Sequence, residues 1–298
     1  GDLQEDLRLL ERSTLPLPIC RLLWQYLRAG GVENARSFVN AVAFHGLEFG
    51  TEPAPPRTLP QIAVHVPQAL CASHAIAGLD DLRVAWHADA PVLAITFYRA
   101  HLLAANTAAF DALALALHAR GMNPLPVAID SLKDALCLSA FRTLCSEQQV
   151  QLVLNTTAFS AVGEGASLAG DAPVLQVIAS GGNREDWLAD SQGLRPRDIA
   201  MQVVLPEMDG RIITRAVSFK GLSYRCPITQ TDVVSYQPEP DRIDFVADLA
   251  QRWCLLRSKP AEQKRLALVL ANYPGSEGRI GSGVGLDTPQ SVITILEA

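Results

Sequence analysis

The sequence lacks an uncharged apolar run near the roughly 20 residues that a membrane-spanning helix needs, and no basic, apolar and small-residue series opens it. It also lacks a charge excess, because 25 basic residues stand against 31 acidic ones, for a net charge of −6. Such a balance gives no broad electrostatic attraction to nucleic acid or to an anionic membrane. We therefore expect a cytoplasmic protein that binds neither, and that holds any anionic ligand by local cations.

Several chemical motifs are absent as well. The six cysteines form no CxxC pair, and the six histidines form no HxxxH or HExxH motif. Buried thiols are thus favoured over disulfides or a zinc site. The phosphate-binding pattern GxxxxGK[ST] does not occur, and GxGxxG started at Gly281 fails at Leu286. We expect no P-loop, and no nucleotide hydrolysis by this chain alone.

The order of the segments predicts the domain organisation. Residues 1–50 have helical apolar spacing, and "TEPAPPRTLP" at 51–60 is a proline-rich linker. Buried strand-like runs then alternate with helical segments over 61–258, and 259–298 reads as the start of a further α/β domain. This alternation predicts an α/β fold with a mainly parallel sheet, flavodoxin-like or Rossmann-like, behind a small N-terminal helical unit.

The predicted strands share an apolar character and are bounded by turn residues or helices. They are "PVLAITFY", "PLPVAI", "VQLVLN", "APVLQVIAS", "IAMQVVLP", the β-rich run from Arg211 to Lys220, and a strand beginning in "KRLALVLANYP". Ligands of open parallel sheets bind outside the carboxyl ends of the strands. The segments that follow these strands should therefore hold the functional side chains.

Those segments supply polar candidates that we expect to lie along one edge of the sheet. Glu207 and His101 are the catalytic candidates, and Glu207 is also the metal candidate. The substrate-binding candidates are Arg99, Asn106, Asn155, Ser180, Arg211, Asn272, Arg279 and Gly281.

Structural roles compete with these functional ones. Asn106 could simply cap a helix, and Asn155 is as well suited to a turn as to a ligand. His101 lies in an apolar context, where a hydrogen-bonded structural histidine is more common than a base. Asp209 in "PEMDG" precedes a glycine, and an Asp-Gly pair is common in β-turns without any further function. Glu207 stands apart, because a carboxylate directly after "VVLP" at a buried rim is costly unless it is exposed, paired or used.

Six stretches in order carry a resemblance to a known family. They are "FYRAHLLAANTAAFDAL", "SLKDA", "APVLQVIASGGNREDW", "RDIAMQVVLPEMDGRIITRAVSFK", "TQTDVVSYQPEPDRIDFVADLAQRW" and "LVLANYPGSEGRIGSGVGLDTP". Together they resemble the large subunits of aerobic cobaltochelatases and, more distantly, of magnesium chelatases, from about Gln61 to the last residue. Family chains are several times longer, so the sequence resembles an internal part of one. Ala105 departs from the family pattern, which has glycine there.

The resemblance implies an ATP-dependent ligase that inserts Co(II) into hydrogenobyrinic acid a,c-diamide in cobalamin biosynthesis. The large subunit would bind the corrinoid tetrapyrrole and cobalt, and separate AAA+ ATPase subunits would hydrolyse ATP. Glu207 matches the glutamate of the family's "LPExDG" motif, which resembles the acid that faces the macrocycle. Such a carboxylate could accept inner N–H protons and pass the cation inward.

The substrate's carboxylates would need cations such as Arg211, Arg215, Arg99 or Arg279. Arg215 and Lys220, however, are better explained as the solvated face of a strand.

Two other functions remain open. The chain could be a non-catalytic α/β scaffold that binds a corrinoid or docks ATPase subunits. A free-standing Rossmann-like enzyme is disfavoured by the failed nucleotide motifs.

Overall fold

The computed structural model describes residues 8, 11–71, 78–161, 167–189, 191–270, 281 and 285–297. Contacts divide the chain into two compact units, Gly1–Leu255 and Leu256–Ala298. Among the described residues, no helix combines the length and the apolar character that crossing a membrane requires.

A seven-stranded sheet forms the centre of the first unit, in the order β1-β3-β2-β4-β5-β6-β7. The edge strands β1 and β7 are antiparallel to their neighbours, and the five strands between them are parallel. The strand bounds are β1 Ile62–Val64, β2 Val92–Tyr98, β3 Asn123–Ile129, β4 Leu152–Asn155, β5 Val174–Ser180, β6 Ile212–Arg225 and β7 Asp232–Pro238.

Helices accompany the sheet in the first unit. Their bounds are α1 Leu17–Ala29, α2 Val32–Leu47, α3 Leu79–Val84, α4 Arg99–Leu103, α5 Ala108–His118, α6 Ala135–Glu147, α7 Arg184–Ala189, α8 Pro196–Ile199, α9 Leu205–Glu207 and α10 Pro240–Ser258. The second unit contains α11 Thr288–Glu297. A π-helical stretch, Ala200–Val204, joins α8 to α9, and we call this continuous element the 196–207 helix.

The two faces of the sheet are buried against different helices. On one face, α5 and α10 cover Leu93, Leu154 and Val177. On the other, α6 packs Phe141 against a cluster that includes Val153. Burial on both faces explains why these strands are continuous apolar runs rather than alternating ones. The mainly parallel α/β fold predicted from the sequence is therefore confirmed.

The parallel strands follow the flavodoxin-type order, in which the second strand of the series lies outside the first. Here β3 lies on one side of β2, and β4 lies on the other side. Later strands are thus added on the opposite side of β2 from β3, so the switch point lies between β2 and β4. Ligands of such sheets bind at the carboxyl ends of the strands that flank this switch point.

The prediction of a strand over "IAMQVVLP" is wrong, because these residues belong to the 196–207 helix. A short apolar run does not by itself distinguish a strand from a half-buried helix. The π-helical stretch accommodates Pro206, which has no N–H to donate to the carbonyl of Met201. The N–H of Phe159 donates to that carbonyl instead, at 2.8 Å. A long-range contact thus stabilises a helix that local pattern assigns poorly.

A second strand prediction also fails, because residues 264–270 of "KRLALVLANYP" adopt neither helix nor strand. Val269 is 88% exposed. No described strand pairs with this run. Without a neighbouring strand, its backbone N–H and C=O groups cannot form the hydrogen bonds that stabilise a strand. A further α/β domain over 259–298 stays a prediction.

The N-terminal region agrees with the sequence pattern in its helices. The segments predicted as helical contain α1 and α2, and residues 51–60 have no regular secondary structure. The side-chain amide of Asn34 in α2 donates to the carbonyl of Arg57 at 2.7 Å. Its oxygen accepts from the N–H of Arg57 at 2.9 Å. The proline-rich segment is therefore attached to the helix before it.

The prediction of buried thiols is confirmed for three of the six cysteines. Cys137, Cys145 and Cys254 are buried, and the other three are partly exposed. Burial raises the pKa of Cys145 to about 12, so this thiol stays protonated.

Candidate functional site

A cavity of about 320 Å³ opens at the carboxyl edge of the sheet, beside the switch point. We call it the edge cavity. Residues at or beyond the ends of β2, β4 and β5 line it, together with one face of the 196–207 helix and the hairpin of β6 and β7. Its lining residues are Tyr98, His101, Thr156, Ala158, Phe159, Ala179, Gly181, Arg195, Arg197, Asp198, Met201, Gln202, Lys220 and Tyr236.

Beside this cavity, a buried row of polar side chains crosses three strands. Thr96 of β2 donates to Asn155 of β4 at 2.5 Å, and Asn155 donates to Gln176 of β5 at 2.7 Å. Thr157 donates to Asn155 at 2.9 Å, and its carbonyl accepts from both Asn155 and Gln176 at 3.0 Å. Because every bond lies in a dry interior, each is stronger than it would be in water. Asn155 therefore has its amide engaged inside the protein.

Arg211 continues this row into an ion pair with Asp209. Its guanidinium donates to Gln176 at 3.1 Å and to Asp209 at 2.6 Å, and both charged side chains are only 1% exposed. Burial lowers the pKa of Arg211, while the neighbouring Asp209 opposes that change. The Nε of Arg211 has no hydrogen-bond partner among the described residues. Because both charges are shielded from water, removing either partner would leave the other charge buried and uncompensated.

Asp209 also anchors the loop that follows β4. Its carboxylate accepts from the hydroxyl of Ser160 at 2.5 Å and from the N–H of Ala161 at 2.8 Å. A turn is present, since the N–H of Gly210 donates to the carbonyl of Glu207, but the turn explains only part of the role of Asp209. The ion pair thereby holds a loop that supplies Phe159 to the edge cavity.

Asp198 is a buried acid that sequence reasoning missed. Its carboxylate accepts from Ser180 at 2.7 Å, from the N–H of Gly181 at 3.1 Å and from Gln202 at 3.1 Å. Gln202 in turn exchanges two hydrogen bonds with the backbone of Ala179, at 2.9 and 3.0 Å. The i,i+4 spacing of Asp198 and Gln202 was the available signal, and it depended on recognising a helix.

His101 lies at the edge cavity between two aromatic rings. Its ring centroid is 5.1 Å from that of Phe110 and 5.0 Å from that of Tyr236, both edge to face. Burial lowers the pKa of His101, and the charge of Lys220 lowers it further. Burial also raises the pKa of Tyr236, with a smaller contribution from Asp198. Near neutral pH the cavity wall thus presents an uncharged imidazole beside a protonated phenol.

Some of the other predicted residues lie at this edge, but their side chains have partners within the protein. Arg99 follows β2, but it donates to the carbonyl of Leu59 at 3.0 Å and to Asp130 at 3.1 Å. Asn106 does not cap α5; its side-chain oxygen accepts from the N–H of Tyr236 at 3.0 Å. The expected position of Ser180, at the carboxyl end of β5, is confirmed.

Glu207 is not at the end of a strand, contrary to the prediction. It ends the 196–207 helix and precedes β6, it is exposed, and it is not among the residues that line the edge cavity. Because Asn155 pairs with Gln176 and Gln176 with Ile213, the start of β6 is level with the carboxyl end of β4. Glu207 therefore precedes the amino end of β6, whereas candidates such as Arg99 and Ser180 lie at the carboxyl end of a strand.

Three predicted residues belong to the second unit. Gly281 has a φ of +68°, and a Cβ there would lie 3.1 Å from Thr288, so a larger residue would be strained at this position. Asn272 and Arg279 lie outside the described residues.

No preformed metal cage is present in the described ranges, where no three histidine, cysteine or acidic side chains converge.

Comparisons with known proteins identify the family. The family model "CobN/Magnesium Chelatase" matches residues 24–298. The aerobic cobaltochelatase subunit CobN of Pseudomonas aeruginosa is 46% identical over the whole chain, which spans 24% of that protein. The corresponding subunit from Sinorhizobium sp is 38% identical, again over the whole chain and 24% of that protein.

A solved structure agrees with these relatives. The catalytic subunit of cobaltochelatase from Mycobacterium tuberculosis superposes with a TM-score of 0.73 at 30% identity, over 99% of this chain and 24% of that one. The chain spans about a quarter of the length of the relatives that it matches. The sequence, the switch-point fold and these matches together show that the chain belongs to the CobN/magnesium chelatase family.

Proposed function

We propose that this chain is the tetrapyrrole- and metal-binding part of an ATP-dependent cobaltochelatase that inserts Co(II) into hydrogenobyrinic acid a,c-diamide. The edge cavity supports this proposal, because it combines aromatic walls, cations and an uncharged imidazole at the ligand-binding edge of the fold. Its volume is at the lower end for small-molecule sites, which suits one edge of a macrocycle with its substituents. ATP hydrolysis would come from separate AAA+ subunits, since this sequence has no P-loop.

Metal insertion requires that protons leave the inner nitrogens of the macrocycle and that Co(II) lose water. We assign the first task to His101, since burial keeps its imidazole neutral and able to accept a proton. No described residue forms a hydrogen bond with the His101 side chain, so its nitrogens are not committed elsewhere in that part of the chain.

Glu207 is assigned the second task. Its carboxylate is exposed and free to meet a hydrated cation, and oxygen ligands of this kind bind Co(II) weakly enough to release it. The aromatic wall of the edge cavity offers a face for the flat macrocycle, and protonated Tyr236 can donate a hydrogen bond to it.

The test measures cobalt insertion by the full-length subunit mixed with its ATPase partners. Glu207→Gln should reduce the insertion rate by about 10- to 100-fold, as for the loss of an outer-shell contact to a metal ion, while tetrapyrrole binding, followed by fluorescence quenching, is retained. Glu185→Gln is the matched control, because Glu185 is also exposed but lies on α7, outside the "LPEMDG" motif that contains Glu207. Insertion by the Glu207 variant at the control rate would contradict the role of Glu207.

The same experiment separates catalysis from a scaffold function. A subunit that binds the corrinoid but inserts no cobalt with active ATPase partners would be a binding or docking module. Absence of corrinoid binding by the wild-type subunit would contradict the proposed function as a whole.

A further inference from the structure

Three cationic side chains line the edge cavity, and they differ in their partners. Arg195 forms an ion pair with Asp186 at 2.5 Å. Arg197 and Lys220, by contrast, pair with no carboxylate in the described part of the chain. Lys220 instead places its ammonium 5.4 Å from the ring centroid of Tyr236. Within the described ranges, neither of these two cavity-lining cations therefore forms an ion pair.

One acid in the cavity lining, Asp198, offsets part of this positive charge. Asp198 is 6% exposed, and its carboxylate already accepts hydrogen bonds from Ser180, Gly181 and Gln202. These donors satisfy the carboxylate locally, so it has little remaining capacity for a further cation. Arg197 and Lys220 together carry two positive charges against the single negative charge of Asp198, so this part of the cavity keeps a net positive charge that suits an additional anion.

Both unpaired charges act on the aromatic wall. Lys220 lowers the pKa of His101, and Arg197 opposes the burial that raises the pKa of Tyr236. Both cations are therefore within Coulombic range of the wall that would meet a ligand.

Three of the four cations that the sequence suggested for this purpose are occupied elsewhere, and the fourth, Arg279, lies outside the described residues. Arg99 is bonded to Asp130, and Arg211 is buried against Asp209. Arg215 stacks on the ring of Phe245, with its guanidinium carbon 3.5 Å from the centroid. None of these three lines the edge cavity.

We propose that Arg197 and Lys220 together bind a peripheral carboxylate of the tetrapyrrole, and so direct one acidic edge of the macrocycle into the edge cavity. This inference rests on the proposed function and adds the residues that set the orientation of the ligand. Arg197 supplies a planar fork that matches a carboxylate, and Lys220 supplies a point charge with three donors. Hydrogen bonds between charged partners are about twice as strong as neutral ones.

The experiment uses the full-length subunit, so that residues outside this segment are present. Arg197→Gln and Lys220→Met each remove one charge and keep much of the side-chain volume. Arg252→Gln is the control, because it changes the net charge by the same amount on an exposed part of α10 that does not line the cavity. The ligands are hydrogenobyrinic acid a,c-diamide and a form whose remaining carboxylates are all amidated.

We expect each cavity variant to weaken binding of the carboxylated ligand by about 10-fold or more, as for loss of one hydrogen bond to a charged group. The control should bind as wild type does. The amidated ligand should bind wild type and both cavity variants with equal affinity, because it offers no anion.

Two results would overturn the inference. One is binding of the carboxylated ligand by both variants at the control's affinity. The other is an equal loss of affinity for both ligands, which would indicate altered cavity shape rather than a lost charge. If wild type binds neither ligand, the proposed function fails together with this inference. If wild type binds and the variants match it, only the inference fails.

Discussion

Replacing Asp209 by Asn should destabilise the protein far more than its position in a turn suggests. The substitution keeps the shape of the side chain but removes the negative charge that faces Arg211. Both side chains are 1% exposed, so water does not replace the lost partner. Removing one member of a buried ion pair typically costs about 3–5 kcal/mol, because the remaining charge is left uncompensated. The nearby Gln176 contributes one neutral acceptor, at 3.1 Å, which does not balance a full positive charge.

The measurement is urea unfolding of the chain, followed by circular dichroism. Asp232→Asn is the matched control, because Asp232 forms an exposed ion pair with Arg225 at 2.8 Å and should cost less than about 1 kcal/mol. Typical domain stabilities are about 5–15 kcal/mol, so the difference between the two variants is well within the range of the assay.

A double-mutant cycle with Arg211→Gln sharpens this prediction. If the cost arises from an unpaired charge, removing both charges should cost at least about 2 kcal/mol less than the sum of the single changes. A loss below about 1 kcal/mol for Asp209→Asn, or additive single effects, would refute the argument from the buried pair.

Two further predictions concern pH and nucleotide. The folded protein lowers the pKa of His101 from its ordinary value of 6.5, so the unfolded chain binds this proton more tightly. The stability associated with His101 is therefore present above about pH 6.5 and is lost as the pH falls towards the folded-state pKa. His101→Gln should reduce the fall in unfolding free energy between about pH 7.5 and 5.5, and an unchanged fall would contradict the assigned burial. The purified chain, free of ATPase subunits, should hydrolyse no ATP with or without Co(II), because its sequence has no P-loop. Steady phosphate release in a coupled assay would contradict that expectation.

Local pattern was sufficient for the central strands. Val92–Tyr98 and Val174–Ser180 are continuous apolar runs between turn signals, and burial on both faces demands that composition. Local pattern failed over Ala200–Val204, where an equally apolar run is helical. The deciding contact there joins Met201 to Phe159. That contact is absent from any short window of sequence.

The candidate site shows the same division. The rule that ligands bind at the carboxyl ends of parallel strands correctly placed His101 and Ser180 at that edge. The rule does not identify Asp198 or Arg197, because both directly precede the run "IAMQVVLP", and a strand there would place them at its amino end.

The sequence by itself determined the α/β class, the family and the absence of a phosphate-binding loop, because these depend on composition and on the order of short motifs. The tertiary structure decided which polar groups are already occupied. Asn106 receives a hydrogen bond from Tyr236, 130 residues away, and Asp209 meets Ser160 across 49 residues. Whether a side chain is free to bind a ligand depends on partners brought together by folding, and their distance along the chain conceals them from local pattern.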